Sequence, residues 1–221
     1  MHDPVFLSTT SRQIPLVPAR AALLFIDVQN FSCHPDGAEW TTMPEAERAE
    51  KKEPFLRLMR DDVLPRMRRL QAAARAAGVE VLYTTIESLT KDGRDRSLDY
   101  KITGFNVARG SWDGRVVDEI APGEDEIVLP KSSSSVFIST NLDYLLRNLG
   151  VRQLVISGVL TDQCVESAIR DACDLGYLVT QVTDACATFT PARQAASLAA
   201  IAGYCRQRTT GEIVAELEQA A

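Results

Sequence analysis

Along the chain, short apolar runs alternate with longer stretches in which apolar residues recur every three or four positions. The first run, "AALLFIDVQN" (21–30), is continuously apolar until it meets a charge. That pattern predicts a strand buried on both faces, with Asp27 at its carboxyl end. Residues 31–53 are polar and without period and are read as loop. From Met59, the positions Met59, Val63, Met67, Leu70, Ala74 and Ala77 fall at helical spacing, with Pro65 near the start and Gly78 as the cap. "VEVLYTTIE" (79–87) predicts the next strand and "DEIVLPK" (125–131) a third, ending at Pro130 and Lys131. Thr140 to Asp143 reads as a capping box for a helix that runs to Gly150. "RQLVISGV" (152–159) predicts a fourth strand, residues 162–175 a helix closed by Gly176, and "YLVTQVTDA" (177–185) a fifth strand. Thr190 and Pro191 open another helix. A short strand, "YCRQRTT" (204–210), and a terminal helix, "EIVAELEQA" (212–220), complete the alternation.

Strands alternating with helices predict an α/β fold, a parallel sheet covered on both faces, in one domain spanning 1–221. Residues 1–19 precede the first strand as an N-terminal extension. Residues 88–114 lack a period and carry Lys91, Asp92, Arg94, Asp95, Arg96, Asp99 and Lys101. A loop of that length in a compact domain is either a solvated surface segment or functional, lying near a site or a subunit contact.

In an open parallel sheet, ligands bind beyond the carboxyl ends of the strands. Asp27, Lys131 and Cys164 each follow such an end, so this topology would bring them to one edge. Cys164 sits where a helix begins, and the unpaired N–H groups there favour a thiolate. Lys131 would favour it further, Asp27 would accept its proton, and the helix turn offers donors to an oxyanion. Together these describe acyl transfer through a thioester. Each residue also has a plainer reading: Cys164 as a small core residue, Asp27 as a cap, Lys131 as a solvated side chain. Cys33, Cys173, Cys186 and Cys205 are read as structural.

Composition narrows the classes. The 221 residues are 45% hydrophobic and 24% charged, with a formal net charge of -6, which disfavours nucleic-acid binding. No apolar run approaches a membrane span. The five cysteines are odd in number and show no CxxC pair. "MHDPVFLSTT" carries no signal-peptide pattern, so reduced thiols in a cytoplasm are expected. His2 and His34 are too few for a histidine-rich metal site, and no cofactor or metal is called for.

"LLFIDVQN", "LPKSSSSVF" and "SGVLTDQCVESAIRDACDLGY" resemble the three signatures of the isochorismatase-like cysteine hydrolases, over roughly residues 20–205. The resemblance implies a three-layer α/β/α fold with a mostly parallel six-stranded sheet and a catalytic triad of Asp27, Lys131 and Cys164. It also implies a cis peptide at Val159–Leu160, turning the Leu160 N–H toward an oxyanion beside the Cys164 N–H. It further implies a homodimer or homotetramer acting on a small molecule. The family's nicotinamidases build a metal site on Asp and His downstream of the catalytic Asp; "DVQNFSCHPDG" offers His34 alone. "GSWDGRVVDEI" (110–120) and the third motif look closest to the ureidoacrylate, biuret and triuret amidohydrolases. The expected substrate is therefore a linear ureido or carbamoyl amide. A vinyl ether hydrolase or a nicotinamidase-like amidase is the alternative.

Substrate-binding candidates come from the irregular segments: Phe31 and Trp40 as pocket walls, Gln29 as an amide partner, Glu87 and Arg94 as polar contacts. Each also has a structural reading. A Mg²⁺-dependent phosphatase of haloacid-dehalogenase type would need a second Asp where Gln29 stands. A non-catalytic receiver would need clustered acids where "FIDVQ" has one.

Overall fold

The six strands expected from the sequence are present, and every pairing between neighbours is parallel. The computed structural model describes residues 11–220. The strands are β1 (Ala21–Ile26), β2 (Glu80–Ile86), β3 (Ile127–Lys131), β4 (Gln153–Val159), β5 (Leu178–Ala187) and β6 (Arg206–Arg208). Their order in the sheet is β3-β2-β1-β4-β5-β6. β1 and β4 are neighbours although three helix-bearing crossovers separate them in sequence, so the strand order reverses between them. A crevice for ligands forms at such a switch point.

β1 shows why this sheet must be covered on both sides. Leu23 and Phe25 join the core beneath the helices Leu64–Ala76 and Thr210–Ala220, with Met67, Leu70, Ile213 and Leu217. Ala22, Leu24 and Ile26 join the opposite core, with Leu142, Leu146, Ile169 and Ile201 from the helices of the second half. All six β1 side chains are buried. Burial of each large apolar side chain contributes roughly 1.5–3 kcal/mol, and both helical layers are needed to realise it. Pro130 lies in β3, an edge strand, where a missing backbone donor is tolerated.

Several elements differ from the sequence-based expectation. Residues 31–53 are not simply loop: they hold the short helices Asn30–Cys33 and Ala38–Thr42 and most of Glu45–Leu58. The last of these has almost no apolar face, so its period was hidden in the sequence. It continues through a wide π turn, Met59–Val63, into Leu64–Ala76. Pro65 explains the turn. Proline cannot donate to the carbonyl one turn back, and the Leu64 N–H instead reaches Met59 O, five residues earlier. Thr140 is not the cap of the following helix, which spans Leu142–Asn148 after Asn141; its hydroxyl accepts from Leu142 N. Residues 88–114 contain a helix, Leu98–Ile102, and a 3-10 turn, Trp112–Gly114. The described part of the N-terminal extension is tied to the sheet, with Gln153 bonding both Val17 N and Pro15 O.

Candidate active site

The carboxyl ends of β1, β3 and β4 deliver Asp27, Lys131 and Cys164 to one point. Asp27 turns off β1 in the left-handed region, at φ 56, a conformation that Asp adopts more readily than most residues. Its N–H is held by Thr84 O and its Oδ1 by the Thr84 hydroxyl at 2.7 Å. β4 reaches the site through Gly158, at φ 145, where any Cβ would lie 2.3 Å from Ile26 O. Only glycine lets β4 approach β1 so closely. The Val159–Leu160 peptide that follows is cis. Cys164 lies in a π turn, Thr161–Val165, which leads into the helix Glu166–Asp174.

Lys131 joins the other two. Its Nζ is 2.7 Å from Asp27 Oδ2 and donates to Cys164 Sγ at 3.4 Å and to Ser133 O at 2.9 Å. All three residues are buried. Asp27 Oδ2 lies beside the ammonium without a directed hydrogen bond, which leaves a lone pair available for a proton. Tyr100 OH stands 3.9 Å from the sulfur.

Burial dominates the electrostatics. It pushes the Cys164 thiol up to about 12, against the opposing pull of the Lys131 ammonium and with the Asp27 carboxylate adding to the rise. Burial alone would lower Lys131, but the Asp27 carboxylate and the facing thiol outweigh it and hold the ammonium above its usual range. The resting site therefore pairs a neutral thiol with a carboxylate–ammonium ion pair.

A cavity of about 870 Å³ opens onto Asp27 and Cys164. Phe31 lines it, packed edge-on against Phe105. The segment 88–114 contributes Asp99, Tyr100, Thr103, Gly104 and Phe105 to the wall. The other substrate-binding candidates lie elsewhere. Gln29 is spent on backbone: its Nε2 donates to Ile86 O and Asp113 O, and its Oε1 accepts from Ile86 N. Trp40 is buried in a second layer, against Phe55 and Phe189. Glu87 accepts from Gly110 N and anchors the loop. Arg94 is exposed and pairs with Asp92. Gln29 and Glu87 are taken up by backbone hydrogen bonds, a demand that is not visible in a residue pattern.

Glu39, Tyr100, Phe189 and Arg193 line the cavity, and the sequence did not single them out. Tyr100 had one usable signal, an aromatic between the charged Asp99 and Lys101. His34 lies at a separate cavity of about 370 Å³, edge-on to Trp112. His2 lies outside the described residues. Among the described residues, no group of three or more His, Cys, Asp or Glu is placed to hold a metal, and no helix is long and apolar enough to cross a membrane.

An isochorismatase domain model matches residues 21–213. The chain belongs to the isochorismatase family of hydrolases. The match runs from the start of β1 into the terminal helix and so takes in the whole sheet. Among curated relatives, the ureidoacrylate amidohydrolase RutB of Rhizobium rhizogenes is 30% identical over 197 residues, covering 82% of this chain and 76% of that protein. A cysteine hydrolase from Pseudomonas syringae pv. phaseolicola superposes with a TM-score of 0.80 at 28% identity, covering 95% of this chain and 97% of that one. The N-carbamoylsarcosine amidase of Thermoplasma acidophilum superposes with a TM-score of 0.66 at 25% identity, over 86% of this chain and 96% of that one. The family fold expected from the motifs, six parallel strands between helices, is the one observed.

Proposed function

We propose that this protein is a cysteine-dependent amidohydrolase that cleaves a carbon–nitrogen bond of a small linear ureido or carbamoyl compound through a covalent S-acyl enzyme, the thioester-type intermediate that for such a substrate is a thiocarbamate. The observation that carries the reading is the contact of Asp27, Lys131 and Cys164 at a cavity. The names of the amidohydrolase and amidase relatives support the choice of bond.

With the thiol held up at about 12, little thiolate stands ready at neutral pH, so proton removal accompanies attack. Asp27 takes the S–H proton as sulfur bonds to the substrate carbonyl carbon. The carbonyl electron pair moves to oxygen, where the N–H groups of Leu160 and Cys164 receive it; Lys131 adds positive charge nearby. Loss of one such donor typically costs about 10²-fold in kcat. The C–N bond then breaks, and Asp27 returns the proton to the departing nitrogen. In the second half, Asp27 takes a proton from water, hydroxide attacks the carbonyl carbon bound to sulfur, and the sulfur leaves and recovers that proton. A reducing, cytoplasmic setting belongs to this reading because the thiol must stay free; the five cysteines are unpaired.

The test is a screen for ammonia release from linear ureides and amides. The expected result is turnover that survives EDTA and disappears on alkylation of Cys164. Turnover abolished by EDTA but untouched by alkylation would overturn the reading.

A further inference from the structure

Glu39 is a partly buried acid that the chemistry above does not use. It lies in the short helix Ala38–Thr42 and lines the cavity that opens onto Cys164. Its Oε2 is shut off from solvent and has no hydrogen-bond partner. Leaving a buried carboxylate oxygen unpaired is costly, and such an atom calls for a donor. Burial raises the carboxyl to about 7, with the Ser32 hydroxyl and the Lys51 ammonium pulling the other way. In either protonation state the group keeps an acceptor oxygen.

The charges around it indicate which donor is missing. The cavity wall carries four acids, Asp27, Glu39, Glu47 and Asp99, against two cations, Lys51 and Arg193. Both cations are already paired: Lys51 Nζ is 2.7 Å from Glu47, and Arg193 Nε is 2.5 Å from Asp162. Both also rest on the Phe189 ring, at 5.2 and 5.5 Å. A ligand carboxylate would meet no free cation on this wall. A neutral N–H group would meet an unpaired acceptor.

We propose that Glu39 sets substrate specificity: its Oε2 accepts an N–H from the part of the substrate away from the reacting carbonyl, selecting ureides that end in a neutral N–H group over those that end in a carboxylate. This rests on the amidohydrolase reading and narrows its substrate class. A site built to bond an N–H rejects an analogue that lacks it, because its own polar atom is then left unpaired.

Two probes of similar size test it: biuret, neutral with N–H groups at both ends, and N-carbamoylglycine, which ends in a carboxylate. The wild-type chain is expected to favour biuret in kcat/KM by about tenfold or more. Glu39→Leu is expected to collapse that preference about tenfold through KM for biuret, with the smaller change in kcat. Glu39→Gln, which keeps an acceptor oxygen, retains part of it. An unchanged biuret-to-carbamoylglycine ratio in active Glu39→Leu overturns the proposal. Calorimetric binding of biuret to Cys164→Ser and to Cys164→Ser/Glu39→Leu separates the two readings. If the wild-type chain hydrolyses neither probe while biuret binds Cys164→Ser at least about tenfold more tightly than the double variant, the hydrolytic reading fails and the role of Glu39 in recognition stands. Equal affinity in the two variants, or no binding to either, overturns the role of Glu39.

Discussion

The Lys131 ammonium sits 2.7 Å from the Asp27 carboxylate, with both side chains buried, and the same nitrogen donates to Cys164. Removing one partner leaves an uncompensated buried charge, which costs roughly 3–5 kcal/mol. Lys131→Met and Asp27→Asn are each expected to lower stability on that order in urea unfolding, Asp27→Asn by less because the amide oxygen can still accept from the Lys131 ammonium and Asn tolerates the left-handed backbone. The double variant should be less destabilised than the sum of the singles, and all three should lack turnover. Strict additivity would mean that the pair contributes no coupling.

The thiol offers a pH test. Burial favours the protonated form, so the folded-state pKa lies above the unfolded value. Alkylation of Cys164 by iodoacetamide should therefore keep accelerating from pH 7 through pH 10, with no plateau below pH 9. The same shift removes stability as pH rises through the folded pKa, once the unfolded thiol has ionised near 9. A plateau at pH 7 to 8 would instead indicate a standing thiolate–ammonium pair.

Gly158 is the narrowest point between β1 and β4. Gly158→Ala places a methyl group 2.3 Å from Ile26 O on a backbone at φ 145. Strain and overpacking together should cost roughly 3 kcal/mol or more, seen as a lower melting temperature and reduced soluble yield. Wild-type stability in this variant would mean that the strands separate without penalty.

Arg94 provides the converse control. It is exposed and contacts Asp92 rather than the cavity. Arg94→Ala should leave kcat/KM within about twofold and stability within about 0.5 kcal/mol. A tenfold loss would place Arg94 itself at the binding site.

The convergence of Asp27, Lys131 and Cys164 was readable because each lies at or just past the end of a strand, and the ends of parallel strands share an edge by topology. Asp27, Lys131 and Cys164 needed no knowledge of how the loops travel. The cavity wall was not readable for that reason. Glu39 and Tyr100 reach it through the paths of residues 31–53 and 88–114, which follow from tertiary contacts such as the bond from Ser97 N to Ser132 O. Gln29 had the right chemistry for an amide ligand, but β2 claims it: Ile86 offers both a donor and an acceptor to its side chain. The helix Glu45–Leu58 escaped notice because it buries only Phe55 and Leu56.

The covalent step can be read directly. Rapid acid quenching during turnover of a ureide, followed by peptide mass spectrometry, should find the acyl fragment on Cys164 in the wild-type chain and on no residue in Cys164→Ala. Turnover at full rate by Cys164→Ala, or an acyl adduct on another side chain, would contradict the account.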